Sequence, residues 1–90
     1  MTDHMSTALQ LTPLVERVHG ADHPELTRVR ELTELLGKAT HHAVKEDLFR
    51  ELRVITNSYD LPADACEAFT TTYRSLEGAE KEHFSSRAEM

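Results

Sequence analysis

Apolar residues recur at helical spacing from Leu26 to Ile55, and this long stripe limits the fold more than any other feature of the sequence. Side chains three and four residues apart lie on one face of an α-helix, so such a stripe marks the buried face of a helix. The chain has no run in which β-branched and polar residues alternate, as a half-buried strand requires. The 90 residues are therefore predicted to form a single all-α domain, residues 1–90, built as a helical bundle of three to four helices.

The length of the helix that carries this stripe is left open by the sequence. Unbroken from about Pro24 to Ser58, it would be roughly 50 Å long at about 1.5 Å per residue, which exceeds the width of a compact domain of this size. Such a helix implies a bundle completed by dimerisation. If Gly37 ends one helix and Thr40 begins another, one chain can close on itself. The residues between them offer little turn chemistry, which favours the unbroken helix.

Capping residues predict both ends of the first helix and the start of the second. Thr12 before Pro13 is typical of a helix start, and Gly20 is typical of a helix end. Asp22 and Glu25 have the spacing of a capping box, in which each side chain binds the backbone amide of the other residue. They predict a short first helix and a second helix that begins close to Asp22.

A turn from Asn57 to Pro62 is predicted to precede the last helix, with Asp60 as its cap and Pro62 near its first turn. The stripe of this helix is Ala65, Cys66, Phe69, Thr72, Tyr73, Leu76, Ala79 and His83. Cys66 is predicted to be a small buried core residue, because it lies on this stripe. It is the single cysteine of the chain, so no intrachain disulfide is expected.

Composition excludes several classes of partner. The net charge is −6, with ten Lys and Arg among sixteen Asp and Glu, so no phosphate-binding surface and no nucleic-acid partner are expected. No apolar run approaches the ~20 residues that span a bilayer, so no membrane partner is expected. The first ten residues do not resemble a signal peptide, and a cytoplasmic protein is predicted.

His42 and Glu46 lie four residues apart, so on a helix they occupy one face and can approach a single cation. They continue the apolar line of Leu32, Leu35 and Ala39. A metal ion offsets the cost of placing such polar groups inside a helical bundle. The alternative is a half-exposed face with a helix-stabilising pair, and spacing alone does not decide between them.

Two Glu-x-x-His pairs, Glu16 with His19 and Glu80 with His83, match the spacing of the ligand motif in di-iron bundles. Because the chain is rich in glutamate, coincidence is the alternative for both pairs. His83 has the stronger case, since it continues the apolar stripe of the last helix.

His23 precedes Pro24 at a predicted helix start. The helix dipole disfavours a protonated imidazole there, so His23 would be neutral and able to bind a metal, although a helix-start residue without further role fits equally well. His4 lies close to the terminus and is predicted to have no role. No nucleophile with a matching base and no phosphate-binding loop stands out, so an enzyme is not predicted.

Three segments resemble the hemerythrin-like di-iron proteins of the iron-sulfur cluster repair type. VERVHGADHPEL, Val15 to Leu26, is similar to a V-x-x-V-H-G-x-x-H-P-E-L run of that family. HAVKEDLF, His42 to Phe49, is similar to its H-x-x-K-E-E segment. LRVITNSYDLPADAC, Leu52 to Cys66, resembles its L-x-x-L-T-N-x-Y-x-P-P-x-D-A-C stretch.

The resemblance implies a hemerythrin-like fold that binds non-heme iron of the di-iron type. It implies that His19, His42 and Glu46 are iron ligands and that His23 belongs to the family's helix start, while His42 could equally match the ligand histidine of a later family helix. The family's final H-I-H-L-E-N ligand segment has no close counterpart, and His83 stands near its place.

Metal ligands are therefore sought among His19, His42, Glu46, His23 and His83. A di-iron bundle uses about six protein ligands, so one chain is short of ligands and a homodimer is predicted to pool them. Its open coordination position would serve oxygen, nitric oxide or iron delivery to damaged clusters. The alternative is a metal-free, degenerate hemerythrin-like scaffold that acts as an interaction or regulatory module.

Overall fold

The computed structural model describes residues 3–88, and their side chains through residue 85. This part of the chain forms four helices and no strand: α1 (His4–His19), α2 (Glu25–Lys38), α3 (His42–Ile55) and α4 (Glu67–Ala88). The all-α prediction is confirmed. Backbones approach closely between α1 and α4, between α1 and α2, and between α2 and α3.

The predicted continuity of the long helix is wrong. Gly37 stays helical, but Ala39 and His41 have extended backbones, with ψ of 140° and 134°, and reverse the chain between α2 and α3. The domain measures 40 × 26 × 21 Å and has no room for a helix of roughly 50 Å. The reversal lets Leu36 of α2 and Phe49 of α3 enter the same core. Burial of such side chains contributes roughly 1.5–3 kcal/mol each, which outweighs the few hydrogen bonds lost at the break.

The predicted start of the first helix is also wrong. Asp3 is the N-cap of α1, and its carboxylate accepts hydrogen bonds from the backbone N–H and the hydroxyl of Ser6, at 3.3 and 3.1 Å. Pro13 therefore lies inside the helix. The predicted end is confirmed, because α1 stops at His19 and the Gly20 N–H donates to the Glu16 carbonyl at 2.7 Å.

The other predicted caps are not those that the structure uses. Pro24 is the N-cap residue of α2 and makes no side-chain capping bond, so the Asp22–Glu25 capping box is not formed. The last helix begins at Glu67, beyond the predicted start near Pro62.

The core lies between the four helices and the turn that precedes α4. It consists of Ala8, Val15, Leu26, Val29, Leu32, Leu36, Phe49, Leu52, Tyr59, Phe69, Tyr73, Leu76 and Ala79. No helix within residues 3–88 combines the length and the apolar character needed to cross a bilayer.

The turn after α3 has an unusual backbone. Asn57, Ser58 and Tyr59 are left-handed in succession, with φ of 54°, 60° and 60°, a conformation that costs non-glycine residues roughly 1–3 kcal/mol each. Tyr59 is buried in spite of this cost. Its backbone N–H donates to the hydroxyl of Thr56 at 2.9 Å, and its own hydroxyl donates to Glu80 at 2.8 Å. These bonds hold the strained turn against α4.

Candidate metal centre

The structure separates the predicted metal ligands into two groups. His19 and His23 contact Phe69 in the first turn of α4. His42 contacts His83 near the other end of the same helix. At about 1.5 Å per residue, Phe69 and His83 lie about 21 Å apart along α4. The five residues are therefore not brought to one point within a chain.

At the C-terminal end of α4, two imidazoles from different helices meet. The rings of His42 and His83 are stacked, with centroids 5.2 Å apart and planes inclined by 27°. Phe49 packs against His83 with a centroid distance of 5.6 Å, and the Phe84 ring meets it edge-on at 5.1 Å. Aromatic packing on three sides fixes the plane in which the His83 nitrogens lie.

A cavity of about 370 Å³ adjoins this histidine pair. Its lining consists of Met5, Leu36, His42, Lys45, Phe49, Ala79, Glu82 and His83. The apolar members come from the core, whereas Lys45 and Glu82 bring opposite charges to the same space. The cavity thus has an apolar wall and a charged wall, which is typical of small-ligand and metal sites.

Glu46 lies one helical turn after His42 and is only 8% exposed. Arg50 of the same helix brings a guanidinium nitrogen within 3.5 Å of a Glu46 carboxylate oxygen. A carboxylate at such a position needs charged or hydrogen-bonding partners, because burial penalises its ionised form.

His4 belongs to this end of the bundle, although the sequence predicted no role for it. A Cβ atom added at Gly78 would lie 2.8 Å from both Cε1 and Nε2 of His4, so the imidazole occupies the space above that glycine. The neighbouring residues Met5 and Ala79 line the cavity. The Asp3 cap, which extends α1 back to His4, was the signal in the sequence that could have placed this residue.

Glu16 and Glu80 are bound to arginines of neighbouring helices. Arg30 donates to Glu16 at 2.6 Å, and the bonds to Thr27 and Arg30 lower the pKa of Glu16. Arg53 and the Tyr59 hydroxyl donate to the two oxygens of Glu80, both at 2.8 Å. Both glutamates of the Glu-x-x-His pairs therefore have charged partners on neighbouring helices.

At the N-terminal end of α4, four polar side chains form two contacts. The Nε2 atom of His19 lies 3.2 Å from the Cys66 sulfur, and the Nε2 atom of His23 lies 3.0 and 3.1 Å from the Asp64 oxygens. The bond from His23 lowers the pKa of Asp64. Cys66 is exposed, so its predicted burial is wrong. It precedes Glu67, the first residue of α4, and the helical stripe does not extend to it.

In the part of the chain that the structure describes, no three His, Cys, Asp or Glu side chains already surround a point where a metal ion could sit. Comparison of the chain with protein-family models, with curated proteins and with solved structures finds no match in any of the three. The resemblance to iron-sulfur cluster repair proteins thus stays a prediction from the sequence.

Proposed function

We propose that this protein binds non-heme iron at the His42 and His83 end of the bundle, with ligands pooled between two copies of the chain. The observation that carries the proposal is the stacked pair of imidazoles, 5.2 Å between centroids, from two helices at one cavity. Imidazole and carboxylate ligands suit iron, and positions left open by the protein are where oxygen or nitric oxide would bind.

Carboxylates for such a site are within the same region. Glu46 lies on α3 one turn beyond His42, and Glu82 lines the cavity beside His83. A divalent cation there would also offset the cost of burying the ionised carboxylate of Glu46. Lys45 lines the same cavity and opposes a cation, so its ammonium would have to turn outward when iron binds.

A second copy accounts for the small number of ligands. About six ligands hold the metals of a di-iron bundle, and this end of one chain presents two stacked histidines with glutamates nearby. Around a two-fold axis each ligand appears twice, so two such groups would supply a full set. The product would be an iron site that handles oxygen or nitric oxide, or that delivers iron to damaged clusters.

The metal-free module is the second candidate. It is favoured by the exposure of large apolar side chains, with Val18 62% and Val54 78% accessible. Exposed apolar residues of this size fit a surface that another protein covers, although single exposed residues are common in proteins.

The deciding experiment is iron content per chain after anaerobic loading with Fe(II) and desalting, with the molar mass measured in the same samples. Retained iron on a dimeric species, lost in His42→Ala and in His83→Ala, supports the proposal. His41→Ala is the matched control, because His41 is an exposed neighbour whose side chain makes no capping bond. Absence of iron from the native chain, or equal loss in the control, overturns the proposal and favours the metal-free module.

A further inference from the structure

The cluster formed by His19, His23, Asp64 and Cys66 has no part in the proposed iron site. Its members come from two short segments, the α1–α2 junction and the residues just before α4. The segments meet at Phe69, whose buried ring contacts both imidazoles edge-on at 5.2 and 5.6 Å. Two imidazoles, one thiol and one carboxylate are the ligand types that zinc takes in proteins.

From this cluster we infer that the protein has a second metal site, which takes a zinc-like divalent ion through the Cys66 thiolate. In the structure the four side chains form two contacts with one another. A divalent ion would replace these two contacts by four bonds. The thiolate and the carboxylate would balance its charge, and the two imidazoles would bind as neutral ligands.

Two distances in the cluster can be compared with those of a tetrahedral site. Zinc bonds of ~2.3 Å to sulfur and ~2.0 Å to nitrogen place the two ligand atoms about 3.5 Å apart. The Cys66 sulfur and the His19 Nε2 atom are 3.2 Å apart. Two imidazoles on one tetrahedral ion have centroids about 5 Å apart by the same bond lengths. The His19 and His23 centroids are 6.4 Å apart, so these two imidazoles would have to approach each other by about 1 Å.

Glu25 supplies a second feature of metal-binding histidines. Its carboxylate lies 3.6 Å from Nδ1 of His23, and the His23 side chain is 19% exposed. A carboxylate at the far nitrogen keeps a proton there and leaves Nε2 as the metal-binding atom. The Nε2 atom of His23 is the one that faces Asp64.

Access for the ion is also present. Cys66 is exposed, and the Asp64 side chain is 55% accessible. The buried ring of Phe69 forms the floor, so the ion would enter from solvent and meet the apolar core on the other side. Closing the shell requires the His19–Cys66 pair and the His23–Asp64 pair to approach each other around the ion.

Cobalt(II) titration of the full chain tests this inference, because thiolate-bound cobalt gives a near-ultraviolet charge-transfer band. Cys66 is the single cysteine, so such a band reports this residue alone. We expect the band in the native chain, its displacement by zinc, its absence in Cys66→Ser, and its retention in His42→Ala. In His19→Ala and Glu25→Gln, we expect cobalt affinity to fall by about tenfold or more.

A measurement on the native chain removes dependence on the folding of variants. Bound zinc should slow alkylation of the Cys66 thiol by iodoacetamide, because the thiolate that would attack the reagent is bound to the metal. Absence of both the band and the protection overturns the inference. So does a band of unchanged affinity in His19→Ala, which would indicate a lone thiol. Loss of iron in His42→Ala concerns the other end of α4, so the two proposals fail separately.

Discussion

The Tyr59 hydroxyl provides the most direct test of how the strained turn is held. Tyr59→Phe removes one hydrogen bond of 2.8 Å to a Glu80 carboxylate that is itself only 7% exposed, and it leaves the ring in place. Hydrogen bonds to charged groups contribute roughly 1.5–3 kcal/mol. Glu80 keeps its bonds to Arg53, so the expected loss in the free energy of unfolding is about 2 kcal/mol.

Urea denaturation followed by circular dichroism measures this loss. The midpoint should fall while the m-value stays constant, since the surface exposed on unfolding is nearly unchanged. In a thermal scan the same loss should lower Tm by about 8–16 °C for a domain of this size. Both readouts test one magnitude, so agreement between them also checks that unfolding is two-state.

Tyr73→Phe is the matched control for this prediction. Tyr73 is as buried as Tyr59, at 1% exposure, and packs edge-on against it with centroids 6.2 Å apart. Its hydroxyl makes no hydrogen bond with the described part of the chain, so the control should change the free energy of unfolding by less than about 0.5 kcal/mol. Equal effects in the two variants would refute the role of the Tyr59–Glu80 bond.

Three further predictions follow from single residues. Burial raises the pKa of both tyrosines of the chain, that of Tyr73 to about 12 and that of Tyr59 further. Because tyrosine in the unfolded chain ionises near pH 10, the free energy of unfolding should fall as pH rises above that value. Tyrosinate absorbance should then appear together with loss of helical circular dichroism. Stepwise ionisation at pH 10 in the folded chain would contradict this. Gly37→Ala should raise the free energy of unfolding by about 0.5–1 kcal/mol in urea titrations, because Gly37 lies inside α2. The nearest atoms to the new Cβ belong to the tip of the Leu9 side chain, at 3.2 Å. A lower free energy of unfolding in the variant would show that this side chain cannot move aside. Thr12→Val should raise the free energy of unfolding by about 1 kcal/mol, because the buried Thr12 hydroxyl has no hydrogen-bond partner in the described residues. Thr33→Val removes a hydrogen bond to the Val29 carbonyl and should lower the free energy of unfolding by a similar amount.

The helical periodicity predicts the existence of the helices, but the ends depend on contacts that it does not contain. The stripe from Leu26 to Ile55 correctly indicates helix on both sides of the break. Residues 39–41 carry no turn signal, and the reversal is set by the shared core of α2 and α3. The capping signal at Thr12 is misleading, because Asp3 and the packing of α1 on α4 decide where α1 begins. Helix α2 begins at Glu25, close to Asp22 as predicted, although without the capping box.

Sequence spacing carries only part of the information about the candidate sites. His83 continues the apolar stripe of the last helix, and the structure packs its ring against Phe49. His42 is exposed, although the spacing places it on an apolar line, and its ring stacks on His83. Spacing could not show that Glu80 faces Tyr59, since that contact depends on the left-handed turn between α3 and α4. Nor could it place Cys66 beside His19, because the two residues belong to different segments.

The separation of the two histidine groups decides what a single chain can do. Side chains about 21 Å apart along α4 cannot share an ion, because metal ligands lie within ~2.5 Å of the metal. Effects at sites more than ~10 Å apart are usually additive. Metal content at the His42 end should therefore be insensitive to Cys66→Ser, and cobalt binding at the Cys66 end insensitive to His42→Ala. The proposed zinc-type site takes all four ligands from one chain, whereas the proposed iron site at the stacked histidines needs ligands from a second copy. Dependence of iron binding on chain concentration, alongside cobalt binding that does not vary with it, is the pattern that this asymmetry requires.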